Sequence, residues 1–564
     1  MLKIRPSLFF TISTLVITGW LFPIAAEAQK MQCKLTVDPS VTLVHGHNNA
    51  SAVRPGDTIC LSPGQKTYLV ISHLQGTNEN PIVVTNIDGQ VLITNAPNYG
   101  VKFDSCSHIK FSGKGISSIP YGIKINGAPG TGLSVDGLST NIEIEGVEIS
   151  NTGISGLIAK TEPNCTFTST RDKFTLRGLI IHDNFIHHTG DEGMYIGSSK
   201  YKNGQTITCE GHDTVLFPHL LRGVYIYNNR VENTGWDGIQ VSSADSGCFI
   251  HDNQVMYDSE EEELYQMSGI LIGGGTTAAC FNNTIRDGKG DGIDVVSLGV
   301  QDIYNNLIVN PGRTYKINQN YTPYLKHGIY VGPDYASPTN TYHLINNTII
   351  SPKSNGIRFV DSQSAKNIIA NTIIINPGSY PTSGENAYIN LASSSIDIQL
   401  LNNIKNWDFG TIEFINPGEG DFDLKSNSPA VNAGIDIEGF PLDFDILNRI
   451  RPFAVLPDIG AYECQDSSLL SIPESEFNNI IIGSIAPNPF SDQCDLEYTI
   501  KEKSLIDIGL YSILGEKVMN ILQALQTPGK YFITIKRNSV KAGIFILIFQ
   551  SGRMVLTQKV IILN

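Results

Sequence analysis

"YNNRVENTGWDGIQV", residues 227–241, holds the two punctuation marks that decide the fold. An asparagine doublet opens one short strand, and Gly238 opens another in which Ile239 and Val241 alternate with Gln240. Both marks recur. "HDNFI" places Asn184, "YNNRV" Asn229, "HDNQV" Asn253, "FNNTI" Asn283 and "YNNLI" Asn306, followed by Asn347, Asn371 and Asn403. The intervals are 45, 24, 30, 23, 41, 24 and 32 residues, which read as a unit of 23–24 residues with loops inserted. Gly100, Gly122, Gly156, Gly193, Gly238, Gly269, Gly292, Gly328 and Gly356 form the second register, each beginning an alternating strand such as "GIKI", "GIDV" or "GIYV". Short period-two strands repeating every ~20–30 residues indicate a solenoid, and no helical periodicity competes.

One coil per repeat predicts a parallel β-helix. Inward Ile, Val and Leu stack between coils, while asparagines turn the chain, tolerate left-handed backbone and hydrogen-bond along the axis. A leucine-rich repeat would need a leucine spacing and a helical segment that this chain lacks. Over residues 40 to 465 the pattern resembles the right-handed parallel β-helix proteins, among them many polysaccharide lyases and some glycoside hydrolases. "VRPGDTICLSPGQ" (53–65) looks like the first coils of that group and "SPAVNAGIDIEGF" (428–440) like its closing piece. The expected class is all-β, a right-handed parallel β-helix solenoid followed by a small C-terminal β-sandwich. Its expected divisions are a signal peptide at 1–28, an N-terminal cap with first coils at 29–99, the β-helix at 100–410 and a closing segment at 411–465. A linker at 466–478 and the sandwich at 479–564 complete the chain.

The first thirty residues, "MLKIRPSLFFTISTLVITGWLFPIAAEAQK", join a basic start, an apolar run and small residues before a cut after Ala28, which is a secretory signal. No later run is long and apolar enough to span a membrane, so the mature chain is expected to have no transmembrane segment. A net charge of −15 argues against nucleic acid as a partner, because phosphate binding needs a basic face. Nine cysteines fit an oxidising destination; Cys33 with Cys60, and Cys165 with Cys209, are pairs that could staple the N-terminal end and a polar insertion. Cys280 occupies an apolar strand position and reads as a buried thiol.

Stacking turns register into columns about 4.8 Å apart per rung. Before each register glycine the column reads Tyr99, Tyr121, Ser155, Glu192, Asp237, Ser268, Asp291, His327, Asn355. Two residues after it stand Lys102, Lys124, Ile158, Tyr195, Gln240, Leu271, Asp294, Tyr330 and Arg358, which are expected to point outward. A solvated face has no need of carboxylates on neighbouring rungs, which repel. Glu192, Asp237, Asp291, Asp294, His327 and Tyr330 are therefore the candidate catalytic residues. Tyr195, Trp236, Gln240, Arg358 and Lys160 are candidates for substrate binding, and Asp191, Glu192 and Asp237 for a cation such as Ca2+. Paired carboxyls serve glycoside hydrolysis, and a neutralised uronate with a base serves elimination. Beside this stands a structural reading, since acids before turn glycines also cap backbone amides. "HHTGDEGMYIGSS" (187–199) is in that light first of all a coil. Insertions at 161–178, 199–220 and 311–326 are expected to build walls, and the acid run Ser259–Leu264 an exposed loop.

The polygalacturonase-like paired-aspartate and Gly-His-Gly signatures are missing, as is the Lys/Arg pair of alginate lyase-type β-helices. "GDEGMYIGSS" is only loosely similar to the cation-binding coil of the latter group.

After Cys464 the composition changes. "PNPF" (487–490), "LYSILGEKV" (510–518), "KAGIFILIF" (541–549) and "TQKVIIL" (557–563) closely resemble the type IX secretion C-terminal sorting domain of Bacteroidota. That resemblance implies passage through the periplasm, the outer-membrane type IX machinery as a partner, and a cell-surface or extracellular destination. The expected protein is a monomer that engages an extracellular polysaccharide, as a lyase or glycoside hydrolase. The alternative is a non-catalytic adhesin or glycan binder using the same face.

Overall fold

In a computed structural model, residues 32–315, 325–378, 383–440, 442–470, 480–512, 516–551 and 554–563 are described. The signal segment, and residues 316–324 of one expected wall, lie outside them. Parallel strands from Leu35–Val37 to Ile404–Asn406 form three long sheets of 13, 12 and 12 strands. Each coil visits them in the same order: Thr175–His182 lies in the first sheet, Phe185–Thr189 in the second and Met194–Ile196 in the third. The chain is a parallel β-helix, and its first coils are continuous with the rest. Alternation explains the core: Ile239 and Val241 are fully buried with Met194, Ile196, Ile270 and Ile272 of neighbouring coils, while the residues between them face out.

The asparagine column exists, and two residues share its work. The amide nitrogen of Asn184 donates to Oδ1 of Asn229 at 3.1 Å, and the series continues through Asn253, Asn283, Asn306 and Asn347 at 3.0 Å per step. Left-handed backbone falls one residue earlier, at Asp183, Asn228, Asp252, Asn282, Asn305 and Asn346, with φ of 53–54°. The register therefore corrects one assignment: Asn371 is the left-handed residue, and Thr372 fills its rung, its N–H donating to Oδ1 of Asn403. Beside this column, the rings of His182, Tyr227, His251, Phe281 and Tyr304 stack at 4.7–5.1 Å.

Lys124 is corrected too. Its strand Ile123–Asn126 pairs with Val91–Thr94 and Val147–Thr152 in the second sheet, and the third-sheet strand of that coil is Leu133–Asp136. "GIKI" misleads because glycine followed by alternation also opens strands of the second sheet.

Cys33–Cys60 and Cys165–Cys209 are disulfide-bonded, and Cys280 is fully buried. The second bridge ties the 161–178 insertion to the antiparallel hairpin Gln205–Cys209/His212–Leu216. The closing segment lies along the side of the solenoid: Ile412, Phe414, Phe422 and Leu424 pack on the outward Leu307, Val309, Ile350 and Ile375 of the second sheet. Those strands are apolar on both faces, so one face needed a cover. Arg451 anchors the segment, fully buried at 3.0 Å from Glu463 and 2.8 Å from Asn305. Residues 480–562 form two antiparallel sheets of three and four strands with their own core. Among the described residues, no helix is long and apolar enough to cross a membrane.

Candidate functional site

The parallel register places Ile158, Tyr195, Gln240, Leu271, Asp294, Tyr330 and Arg358 on successive rungs of the third sheet, pointing away from the core. Tyr195, Asp294, Tyr330 and Arg358 are partly exposed. Gln240 and Leu271 also point outward yet are only 1% and 8% exposed, so the middle of the face is covered.

The column before the glycines is brought together but buried. Ser155 donates to Glu192 at 2.7 Å, Ser268 to Asp237 at 2.6 Å, and the His327 N–H to Asp291 at 2.5 Å. Hydroxyls and an amide thus interleave with the acids, and only Glu192 and Asp237 meet on adjacent rungs. Among the described residues one Asp237 oxygen has no partner, and neither does the Gln240 carbonyl nor one Asp294 oxygen, although all three atoms are buried. Buried acceptors left without donors are rare and costly, which marks this spot as unlike an ordinary sheet face.

Electrostatics follow from burial. Asp237 is raised well above the usual carboxylate range by desolvation, with Glu192, Asp294 and Asp258 adding repulsion against the Ser268 hydrogen bond. Asp294 is pushed up to about 8, first by burial and then by Asp291. Glu192 rises by burial, and Asp191 by burial and Glu263. His327 is pushed down to about 4 by burial, and its Nδ1 accepts the Asn355 N–H at 3.3 Å, so the neutral ring carries its proton on Nε2. Tyr330 is raised to about 12 by burial and Asp294, its ring stacked 5.7 Å from His327. Lys160 lies 4.0 Å over the Tyr195 ring and 2.6 Å from Glu162. Trp236 is half-buried; its N–H donates to the Asp191 carbonyl and its carbonyl accepts from Thr234 at 2.8 Å.

Two residues escaped the sequence reading. Lys326 places its ammonium 2.9 Å from Asp291 and 3.1 Å from the Met267 carbonyl. Burial opposes its charge, but Asp291, Asp294 and Asp237 outweigh that and raise it. Its signal was a lysine directly before a register residue, outside both columns. Asp258, held at about 6 by burial, accepts from Ser259 and from the Gly290 N–H. Gly288 is required beside it, because a Cβ there would stand 1.7 Å from the carboxylate.

At the far ends of these strands Tyr201, Lys202 and Tyr335 form a wall. Lys202 donates to the Asp334 carbonyl at 2.9 Å, and the two tyrosine rings lie 6.2 Å apart against Gly274 and Gly275. On the other side the acid loop runs along the backbone of Thr234–Trp236, with Lys289 paired to Glu260 and Glu262. His187 and His188 belong to the second sheet, their Nδ1 atoms 2.8 Å apart, and do not join the column.

Asp191, Glu192 and Asp237 do not bring three oxygens within 4.8 Å of one another. Among the described residues the set that brings three ligand atoms that close, two carboxylate oxygens and an imidazole nitrogen, is Glu143, Glu145 and His182 on the first sheet, the two acids already paired with Lys110 and Lys114.

The raised carboxyls yield a pH prediction. A carboxyl whose folded pKa exceeds its unfolded value favours the fold below the unfolded value and loses that contribution as pH rises through the folded one. With Asp294 at about 8, the wild type loses stability between roughly pH 4 and 8 relative to Asp294→Asn. Urea midpoints of the two proteins should diverge upward through that window; parallel midpoints would contradict the burial of this group.

The secretion system C-terminal sorting domain family matches residues 484–563. No curated protein matches the chain. Similar solved structures include the pectate lyase Pel9A, at 15% identity over 77% of this chain and 97% of that one, with a TM-score of 0.38. An alginate lyase from Paenibacillus sp. str. FPU-7 is similar at 14% identity over 65% and 99%, TM-score 0.29. The catalytic unit of a thermostable alpha-1,3-glucanase from Streptomyces thermodiastaticus strain HF3-3 is similar at 14% over 67% and 70%, TM-score 0.32. The fold itself rests on the three parallel sheets.

Proposed function

We propose that the outward face of the third sheet binds and cleaves an extracellular polysaccharide, with Asp294 as proton donor to the departing glycosidic oxygen. The observation that supports this is the Asp294 carboxyl itself: it lies on the outward column, is held protonated to about pH 8, and keeps one oxygen without a partner. Both hydrolysis and elimination need such an acid, and its pKa is matched to work near neutrality. Asp237 and Glu192 meet on adjacent rungs but lie buried behind the face, where a substrate would not reach them as the second carboxyl of a hydrolase. Lys326 next to Asp294, and Arg358 one rung beyond Tyr330, favour a chain that carries uronates, whose carboxylate they would neutralise before proton abstraction. Elimination is the mechanism we favour: Tyr330, on the rung between Asp294 and Arg358, would take the proton beside the uronate carboxylate as a phenolate, the bond to the departing oxygen would break, and Asp294 would protonate that oxygen. The sorting domain supports a route through the periplasm and the type IX machinery to the cell surface or medium.

The test is incubation of the protein with uronate-containing and neutral polysaccharides, with and without Ca2+. Ultraviolet absorbance from unsaturated ends is expected with the uronate chains. New reducing ends without that absorbance would move the assignment to hydrolysis, and retention without product would make the face a binding surface.

A further inference from the structure

The disulfide-tied lobe carries a concavity that the candidate site does not use. It measures about 450 Å³ and is lined by Phe167, Arg171, Lys173, Val215 and Phe217 among others. Phe167, Val215 and Phe217 are 42%, 51% and 40% exposed, so three large apolar side chains on one small lobe are left facing solvent in one hollow. Scattered exposed apolar residues need no explanation, whereas a group rimmed by charge marks a binding surface. The Arg171 guanidinium lies over two rings, 4.1 Å from the centre of Tyr201 and 5.0 Å from that of Phe217. Its hydrogen bond among the described residues runs from Nη2 to the Tyr201 carbonyl at 2.5 Å, and its buried Nε has no partner. Lys173 is largely exposed and only loosely met by the equally exposed Asp172 at 3.5 Å. The hollow therefore offers aromatic faces, one cation held against them and a second, largely exposed cation beside Asp172, which also lines it.

We propose that this hollow is a subsite for an acidic oligosaccharide, with Phe167 and Phe217 packing on sugar faces and Arg171 and Lys173 holding a uronate carboxylate. Aromatic rings supply apolar area suited to the faces of pyranoses, and a planar guanidinium pre-set by stacking is suited to a carboxylate. The volume lies within the range of ordinary ligand sites. Cys165–Cys209 fixes the lobe before binding, which lowers the ordering cost. Tyr201 links the hollow to the face: one side of its ring carries Arg171 and another lies against Gly275 in the wall. The inference rests on the polysaccharide reading above and adds a second point of attachment for the same uronate chain.

Calorimetry with the intact protein carrying Asp294→Asn tests it, using uronate oligosaccharides of about six sugars and neutral ones of equal length. Adding Lys173→Gln, an exposed change that leaves the fold alone, should weaken uronate binding about five- to tenfold, and Phe217→Ala about tenfold. Neutral oligosaccharides should bind at least tenfold more weakly than uronates. Unchanged uronate affinity in both variants, or equal affinity for neutral chains, overturns the subsite. Turnover of long polysaccharide by the otherwise wild-type Lys173→Gln protein separates the two ideas. Persistent turnover with unaltered binding sinks the subsite alone, and absence of turnover in the wild type sinks the cleavage reading.

Discussion

Asp294→Asn is expected to lower the rate of the proposed polysaccharide cleavage by about 10²- to 10⁴-fold while leaving the protein folded at neutral pH. The size follows from what an isosteric amide loses. Asn keeps the volume and the outward position between Leu271 and Tyr330 but cannot deliver a proton to an oxygen leaving group. Folding survives because burial has already made the aspartate neutral, so the amide replaces a protonated acid and leaves no ion unpaired. The loss should appear in kcat more than in KM, since proton donation belongs to the transition state. A useful contrast is Asp302→Asn: that residue pairs with His343 at 2.7 Å on the first sheet, and its replacement should leave the rate within about twofold. Equal rates for wild type and Asp294→Asn would remove Asp294 from the chemistry.

Asn253→Ala should cost about 3–4 kcal/mol of stability, read as a fall in the urea midpoint. The Asn253 carboxamide accepts from the Asn229 N–H at 3.1 Å and its Nδ2 at 3.0 Å, and donates to the Ile226 carbonyl and to Asn283. Alanine strands a buried N–H and weakens a buried carbonyl, each worth about 1–3 kcal/mol, and leaves a hole of carboxamide size. The neighbouring Asn282→Gly should shift stability by less than about 1 kcal/mol. Its φ of 54° suits glycine, and its side-chain oxygen has no partner to lose. Similar losses at the two positions would mean that the column, as opposed to the bend, contributes nothing special.

The same pair shows what was legible in the chain and what was not. Period-two strands and repeating Gly and Asn marks fixed the coils, because a solenoid repeats its local chemistry and each rung is short. The doublet "NN" hid the division of labour, since two adjacent asparagines fill two different roles and sequence does not say which amide is buried. The outward column from Tyr195 to Arg358 was legible from alternation alone. The burial of Glu192, Asp237 and Asp291 was not, because alternation after the glycine does not say which way the residue before it turns, and these acids turn toward Ser155, Ser268 and the His327 N–H. Lys326 was missed because it closes an insertion and reaches Asp291 and the Met267 carbonyl from outside the register. Lys124 shows the opposite error, a pattern shared by two sheets and read as one.

The asparagine column has a direction. From Asn184 to Asn306 each backbone N–H and one side-chain hydrogen go to the oxygen of the next asparagine, and the other side-chain hydrogen goes to a carbonyl of the preceding coil. Shortening the chain from its front would strand one amide hydrogen and the lone pairs of one oxygen at the new boundary, whereas shortening it from the rear would strand two hydrogens, the backbone N–H among them, the harsher defect in a dry interior. Deletions should therefore be tolerated asymmetrically, and the rear coils are the ones this protein can least afford to lose.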